Sequence, residues 1–155
     1  MAGRWYEGFE IGEMIRHDIR RTVTEADNVL FTTATMNPAA IHLDHAYAAE
    51  HSEFGKPLVN SIFTLGLVVG ISVHDTTLGT TVGNLGFEEV TFPAPVFAGD
   101  TIRVETEVAA MRESKSRPGQ GIVTFVHRGF NQREETVCQC RRPALMLKAP
   151  GGAPA

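Results

Sequence analysis

The stretch "LVNSIFTLGLVVGISV", Leu58–Val73, decides what the rest of the chain must do. Asn60, Ser61, Thr64 and Ser72 interrupt it, and it falls short of the roughly 20 apolar residues that a membrane span requires. A helix running from Leu58 to about His74, apolar nearly all round, is instead expected to be enclosed by other elements of the protein. Gly66 and Gly70 share one of its faces, where the sheet or a partner helix is expected to approach so closely that larger side chains would overpack the core.

Downstream of that helix the hydrophobic period changes from 3.6 to 2. "TVGNLGFEEVTF", "DTIRVETEVAAMRE", "GIVTFVHRGFNQ" and "TVCQCRRPALML" read as strands, separated by the turn signals "PAPVFAGD", "SKSRPGQG" and "REE". Upstream, "RRTVTEADNVLFTTAT" opens with a short strand-like piece and becomes helical over Glu25–Ala34, with Thr24 as cap and Glu25 and Asp27 in the first turn. Asp44 is a second cap, opening "HAYAAEHSEF", which Gly55 and Pro57 close. Helices first and an antiparallel sheet second give an α+β domain over residues 1–148, the sheet wrapped around one long central helix. The tail "APGGAPA", residues 149–155, is expected to be disordered. There is no internal repeat.

The composition, 155 residues with 43% hydrophobic and 21% charged, suits one globular domain with a real core. A formal charge of -4 offers no footprint for nucleic acid or an acidic membrane surface, but a small anionic ligand remains compatible with it. Cys138 and Cys140 alternate onto one face of a strand, a poor geometry for a disulfide. The acidic, aromatic start "MAGRWYEGFEIGE" lacks the basic and apolar regions of a signal peptide, so a reduced, cytoplasmic protein is expected.

"TATMNPAAIHLDHAYAAEH", Thr33–His51, packs an Asn, a Pro and three His into an otherwise small or apolar span. Together with "IHLDHAYAAEHSEFGKPLVNS" before the long helix and "LGFEEVTFPAPVFAGDTIRVETEV" after it, this resembles the hot-dog fold of the MaoC-like dehydratases, which include the (R)-specific enoyl-CoA hydratases. The resemblance runs from about Tyr6 to Leu147. "NSIFTLGLVVGISV", "RESKSRPGQGIV" and "NQREETVCQC" look most like the branch containing mesaconyl-CoA and itaconyl-CoA hydratases, which handle branched five-carbon dicarboxylic thioesters.

The resemblance implies addition of water to a 2-enoyl-CoA, giving citramalyl-CoA from a mesaconyl-type C4 thioester. His42 keeps the place of the family histidine, and an imidazole can pass a proton either way near neutrality. The family Asp five residues earlier falls on Asn37, and matching the "NP" dipeptide instead puts Thr35 there, so neither register supplies a carboxylate. An amide can orient a water but cannot take its proton. Ser61 aligns with a family Gly whose backbone N–H polarises the thioester oxygen at the helix N-terminus, with Asn60 beside it.

The basic turn "MRESKSRPGQG" brings Arg112, Lys115 and Arg117 together as candidates for the phosphates of coenzyme A, with Arg141 and Arg142 as rivals. Coenzyme A enters as part of the substrate; no separate cofactor and no metal are expected, since Asp44 serves better as a cap than as a ligand beside His42 and His45. His17, His51, His74 and His127 are assigned surface or structural roles. A homodimer or dimer of dimers is implied, with coenzyme A at the subunit boundary. A hot-dog thioesterase and a non-catalytic acyl-CoA-binding module are the competing readings; the thioesterase would need a carboxylate near the helix, where the chain has Asn60 and Ser61.

Overall fold

A computed structural model describes residues 3–152, and the expected tail of residues 149–155 ends outside them. Within the described part, Pro150–Gly152 form a short 3-10 turn.

Helix α1 spans Glu25–Ala34, as its cap dictates: Thr24 Oγ1 accepts from the N–H of Asp27, whose carboxylate accepts from the N–H of Thr24. Helix α3, His45–His51, starts where Asp44 Oδ1 accepts from the N–H of Tyr47 at 2.9 Å. Between them lies a single turn, α2, Ala40–Leu43, too short to show a period in the sequence. The long helix α4 spans Ser61–Thr76, three residues later than expected, because Asn60 caps it by accepting from the N–H of Ile62. Val59 is instead tied outside the helix, its N–H donating to the carbonyl of Val96 at 2.9 Å.

Seven strands follow or flank these helices: β1 (Met14–Arg16), β2 (Arg21–Thr22), β3 (Thr81–Asn84), β4 (Glu88–Thr91), β5 (Thr101–Glu113), β6 (Gln120–Phe130) and β7 (Thr136–Leu147). All pairings are antiparallel, in the order β1-β5-β6-β7-β3, with β2 also on β5 and β4 also on β7. The run "TVGNLGFEEVTF", expected as one strand, is two, broken around Gly86 at φ 153°. Along β5 the buried residues Ile102, Val104, Thr106 and Val108 alternate, as a sheet with one covered face requires.

The core has two apolar clusters. Val68 and Ile71 of α4 pack with Ile102, Val104, Val137 and Cys138, whereas Phe9, Ile15, Val108, Val123, Phe125 and Met146 form the other. On β5 the residue between them is Thr106, the middle of a buried polar chain. Arg142 Nε–H donates to His127 Nε2 at 3.0 Å, and an arginine can only donate, so His127 carries its hydrogen on Nδ1 and donates it to Thr106 Oγ1 at 2.8 Å. The Thr106 hydroxyl then donates to His17 Nε2, and His17 Nδ1–H to Asp75 on α4, both at 2.8 Å. Desolvation, aided by the charge of Arg142, holds His127 neutral, its pKa well below the ordinary histidine value. Burial also pushes the thiols of Cys138 and Cys140 up to about 12 and about 11, so both are protonated and unreactive.

Two expectations for α4 need correction. It is not enclosed on every side within the chain, since Ile62, Gly66, Gly70 and His74 are exposed on one face. Nor does the sheet crowd Gly66 and Gly70: a Cβ at either would meet nothing within 4 Å. The close approach comes from the opposite direction, where a Cβ on Gly129 of β6 would lie 2.4 Å from Val68 Cγ2. Gly129→Ala should therefore destabilise the fold by about 1–3 kcal/mol. Adding Val68→Ala should recover part of that in urea unfolding, whereas strict additivity of the two losses would refute a steric limit at this contact.

Candidate active site

His42 sits on the single turn α2, and its Nδ1 lies 2.7 Å from the carbonyl oxygen of Leu58. A carbonyl can only accept, so Nδ1 carries the hydrogen and, in the neutral ring, Nε2 holds a lone pair. That nitrogen has no hydrogen-bond partner among the described residues. His42 lines a cavity of about 180 Å³ together with Glu25, Asn28, His45, Lys56 and Phe97. Glu25 and His45 bond to each other at 2.6 Å, and the Lys56 ammonium lies 4.1 Å from the centre of the Phe97 ring. Phe97 is itself held by Asp100, which accepts from its N–H at 2.9 Å. Burial works to raise the Asp100 carboxyl, but bonds from Gln132, the Phe97 N–H and Arg133 outweigh it and hold the carboxyl below its usual range.

Asn28 projects from α1 into the junction beneath His42 and is only 3% exposed. Its Nδ2 donates to the carbonyls of His42 at 3.0 Å and Leu58 at 3.1 Å, and its Oδ1 accepts from the N–H of Asn60 at 2.9 Å and the hydroxyl of Thr32 at 3.4 Å. The sequence reading missed this residue. The available signal was a polar pair, Asn28 and Thr32, one turn apart on the buried side of α1.

Ser61 is the first residue of α4. The Asn60 cap occupies the N–H of Ile62 and leaves that of Ser61 without a partner among the described residues. Ser61 lines a second, mainly apolar groove of about 290 Å³, with Leu58, Thr64, Phe92, Ala94 and Val96. His42 and Ser61 thus face two neighbouring hollows in the single chain. Leu58 joins them, its carbonyl accepting from His42 and the residue itself lining the groove.

Other expected site residues stand elsewhere. Asn37 lines neither hollow: its Oδ1 accepts from the N–H of Ala39 at 3.0 Å, closing a local turn that leads into α2. Asn60 is buried as the cap of α4, its amide used internally. The turn carrying Lys115 and Arg117, with Arg112 at its base, follows the far end of β5, whereas the Phe97 wall adjoins the near end. Thirteen strand residues at about 3.3 Å each put roughly 40 Å between those ends, so one chain does not bring the basic turn to His42. Arg141 lies within 3.4 Å of Glu88, and Arg142 belongs to the buried polar chain. Glu25 and Lys56, which line the His42 cavity, were not foreseen. Among the described residues no group of three or more His, Cys, Asp or Glu is placed to hold a metal ion, and no helix is long and apolar enough to cross a membrane.

Comparison with known proteins places the chain in a family. Residues 8–129 match the MaoC like domain. The chain is 33% identical over 154 residues to a mesaconyl-CoA hydratase of Cereibacter sphaeroides, covering 99% of this chain and 44% of that protein, so it spans less than half the relative's length. It is 30% identical to the (R)-specific enoyl-CoA hydratase of Aeromonas caviae, covering 81% of this chain and 87% of that one. A Mycobacterium tuberculosis protein described as having a double hot-dog fold superposes with a TM-score of 0.87 at 19% identity, over 99% of this chain and 47% of its own. The sheet curled over one long helix is therefore a hot-dog fold, and the chain belongs to the MaoC like domain family.

Proposed function

We propose that this chain is a hydro-lyase that adds water to a 2-enoyl-CoA. The observation that carries the reading is the fixed tautomer of His42, whose Nδ1–H is committed to the Leu58 carbonyl while the residue lines a cavity and its Nε2 has no partner among the described residues. In this reading a water oxygen bonds to C3 of the enoyl group as His42 Nε2 takes the water proton. The C2=C3 electrons move toward the thioester, whose oxygen becomes an enolate oxygen and accepts from the backbone N–H of Ser61. The imidazolium then returns a proton to C2 and the thioester carbonyl re-forms. Leu58, which lines the Ser61 groove and whose carbonyl accepts from His42, marks the path along which one thioester would reach both groups.

A branched C5 dicarboxylic thioester, mesaconyl-C4-CoA or itaconyl-CoA to citramalyl-CoA, is the proposed substrate. The 33% identity to a mesaconyl-CoA hydratase supports it. Coenzyme A is then part of the substrate rather than a resident cofactor. Water placement is not assigned to Asn37, because its Oδ1 is already used in the turn before α2. A cytoplasmic location is proposed from the two unpaired, buried cysteines.

A homodimer is proposed from the uncovered apolar surface. Ile62 on α4 is 56% exposed and Leu85 beside β3 52% exposed, with Val82, Phe87, Val90 and Phe92 also exposed along the β3–β4 side. A second copy laid over α4 would cover Gly66 and Gly70, where there is open space for its backbone.

His42→Ala should lower kcat by about 10²–10⁴-fold while retaining thioester affinity. Full activity of that variant would refute proton relay, and tight binding without turnover by the parent would favour the acyl-CoA-binding module. Ser61→Pro is the sharper test of the oxyanion role, because proline suits the first position of a helix and removes only that N–H. It should cost about 10²–10³-fold in kcat, whereas Ser61→Ala should cost little. Equal activity of the two would remove Ser61 from the mechanism. Asn37→Asp should be nearly neutral for stability, since a carboxylate also accepts from Ala39, while Asn37→Ala should lose about 1 kcal/mol in denaturant unfolding; equal losses would contradict the turn-forming role. Sedimentation of the parent should give a dimer that Gly66→Glu dissociates, and a monomeric parent would overturn the homodimer.

A further inference from the structure

We infer that Asn28 is the positioning residue that sets the proton relay and the oxyanion donor together, an inference that rests on the hydration reading above. Its amide offers two hydrogens and one oxygen, and all are committed: the hydrogens to the carbonyls of His42 and Leu58, the oxygen to the N–H of Asn60 and the hydroxyl of Thr32. The orientation of the amide is fixed by these partners, because two carbonyls can face only the nitrogen and a backbone N–H only the oxygen. With nothing left over, Asn28 lines the His42 cavity without a free polar atom for a substrate.

Each partner leads to one half of the site. The Leu58 carbonyl that Asn28 holds is the same oxygen that accepts from His42 Nδ1, so the amide pins the group that selects the imidazole tautomer. Its second donation, to the His42 carbonyl, fixes the turn carrying that ring. On the other side, the oxygen of Asn28 holds the backbone of Asn60, the residue immediately before the unpaired N–H of Ser61 and the cap of α4. Asn28 lies 14, 30 and 32 positions from these three partners, so it clamps segments that no local turn could align. Neither isosteric replacement reproduces this. Leucine leaves the buried N–H of Asn60 without its acceptor, and ionised aspartate puts an acceptor oxygen in place of Nδ2, facing the two carbonyls that had received its hydrogens.

The test combines nitrogen-15 NMR of the His42 ring with steady-state kinetics on a 2-enoyl-CoA. In the parent, neutral His42 should be the Nδ1–H tautomer and the Asn28 side-chain amide protons should exchange slowly. In Asn28→Leu and Asn28→Asp the ring should become a mixture of tautomers, with kcat down about 10–100-fold and KM changed less than about 3-fold. An Nε2–H tautomer or a fast-exchanging Asn28 amide in the parent overturns the inference even if neither variant folds. Folded variants with the parent's tautomer and kcat overturn it as well. If the parent hydrates no enoyl-CoA, the hydration reading falls while the NMR comparison still decides whether Asn28 sets the His42 tautomer.

Discussion

The carbonyl oxygen of Leu58 accepts two hydrogen bonds, from His42 Nδ1 at 2.7 Å and from Asn28 Nδ2 at 3.1 Å, and the geometry of the candidate site depends on them. Leu58 can offer that oxygen because it stays outside the helix that its apolar neighbours suggest. Asn60 caps α4 two residues later, and the Val59–Val96 hydrogen bond holds the intervening backbone against the "FPAPV" segment. Were the helix to begin at Leu58, its first carbonyls would enter the helical ladder and His42 would lose the acceptor that fixes its tautomer. The short stretch that interrupts the apolar run is thus what turns a packing helix into one wall of a site.

At its other end α4 is held by chemistry of a different kind. Asp75, His17, Thr106, His127 and Arg142 run in one direction of donation from the sheet to the helix, between two apolar clusters. A buried guanidinium and a partly exposed carboxylate stand at its ends, with the neutral His127 and His17 between. This chain ties Asp75, near the end of α4, to the sheet, while the N–H of Asn60 at its start is held by Asn28. One amide of the helix start and one carboxylate near its end therefore fix the element on which the proposed oxyanion donor rides.

Much of the fold was readable because it is set by local chemistry. Thr24 and Asp44 act as the caps their residue types suggest, and the run "TVCQCRRPALML" is the strand Thr136–Leu147. The length of α4 was readable but its surroundings were not, since periodicity cannot distinguish a face covered by the same chain from one left open at Ile62, Gly66 and Gly70. In the candidate site, His42 was singled out through its place in a family pattern. Asn37 was chosen by spacing from His42, and spacing does not reveal that its oxygen is already bound to Ala39. Asn28 escaped because its meaning lies wholly in contacts across the chain. The basic turn was chosen for charge density, a property that carries no information about which end of a long strand it occupies.

The most direct measurement is the structure of this chain with bound butyryl-CoA, a saturated thioester that retains the carbonyl but cannot be hydrated. The expected result is a thioester oxygen within hydrogen-bond distance of the Ser61 N–H, with C3 of the acyl group directed toward His42 Nε2 across Leu58. A thioester carbonyl held elsewhere, or an acyl chain that leaves His42 Nε2 out of reach of C3, would contradict a shared site at the Leu58 junction.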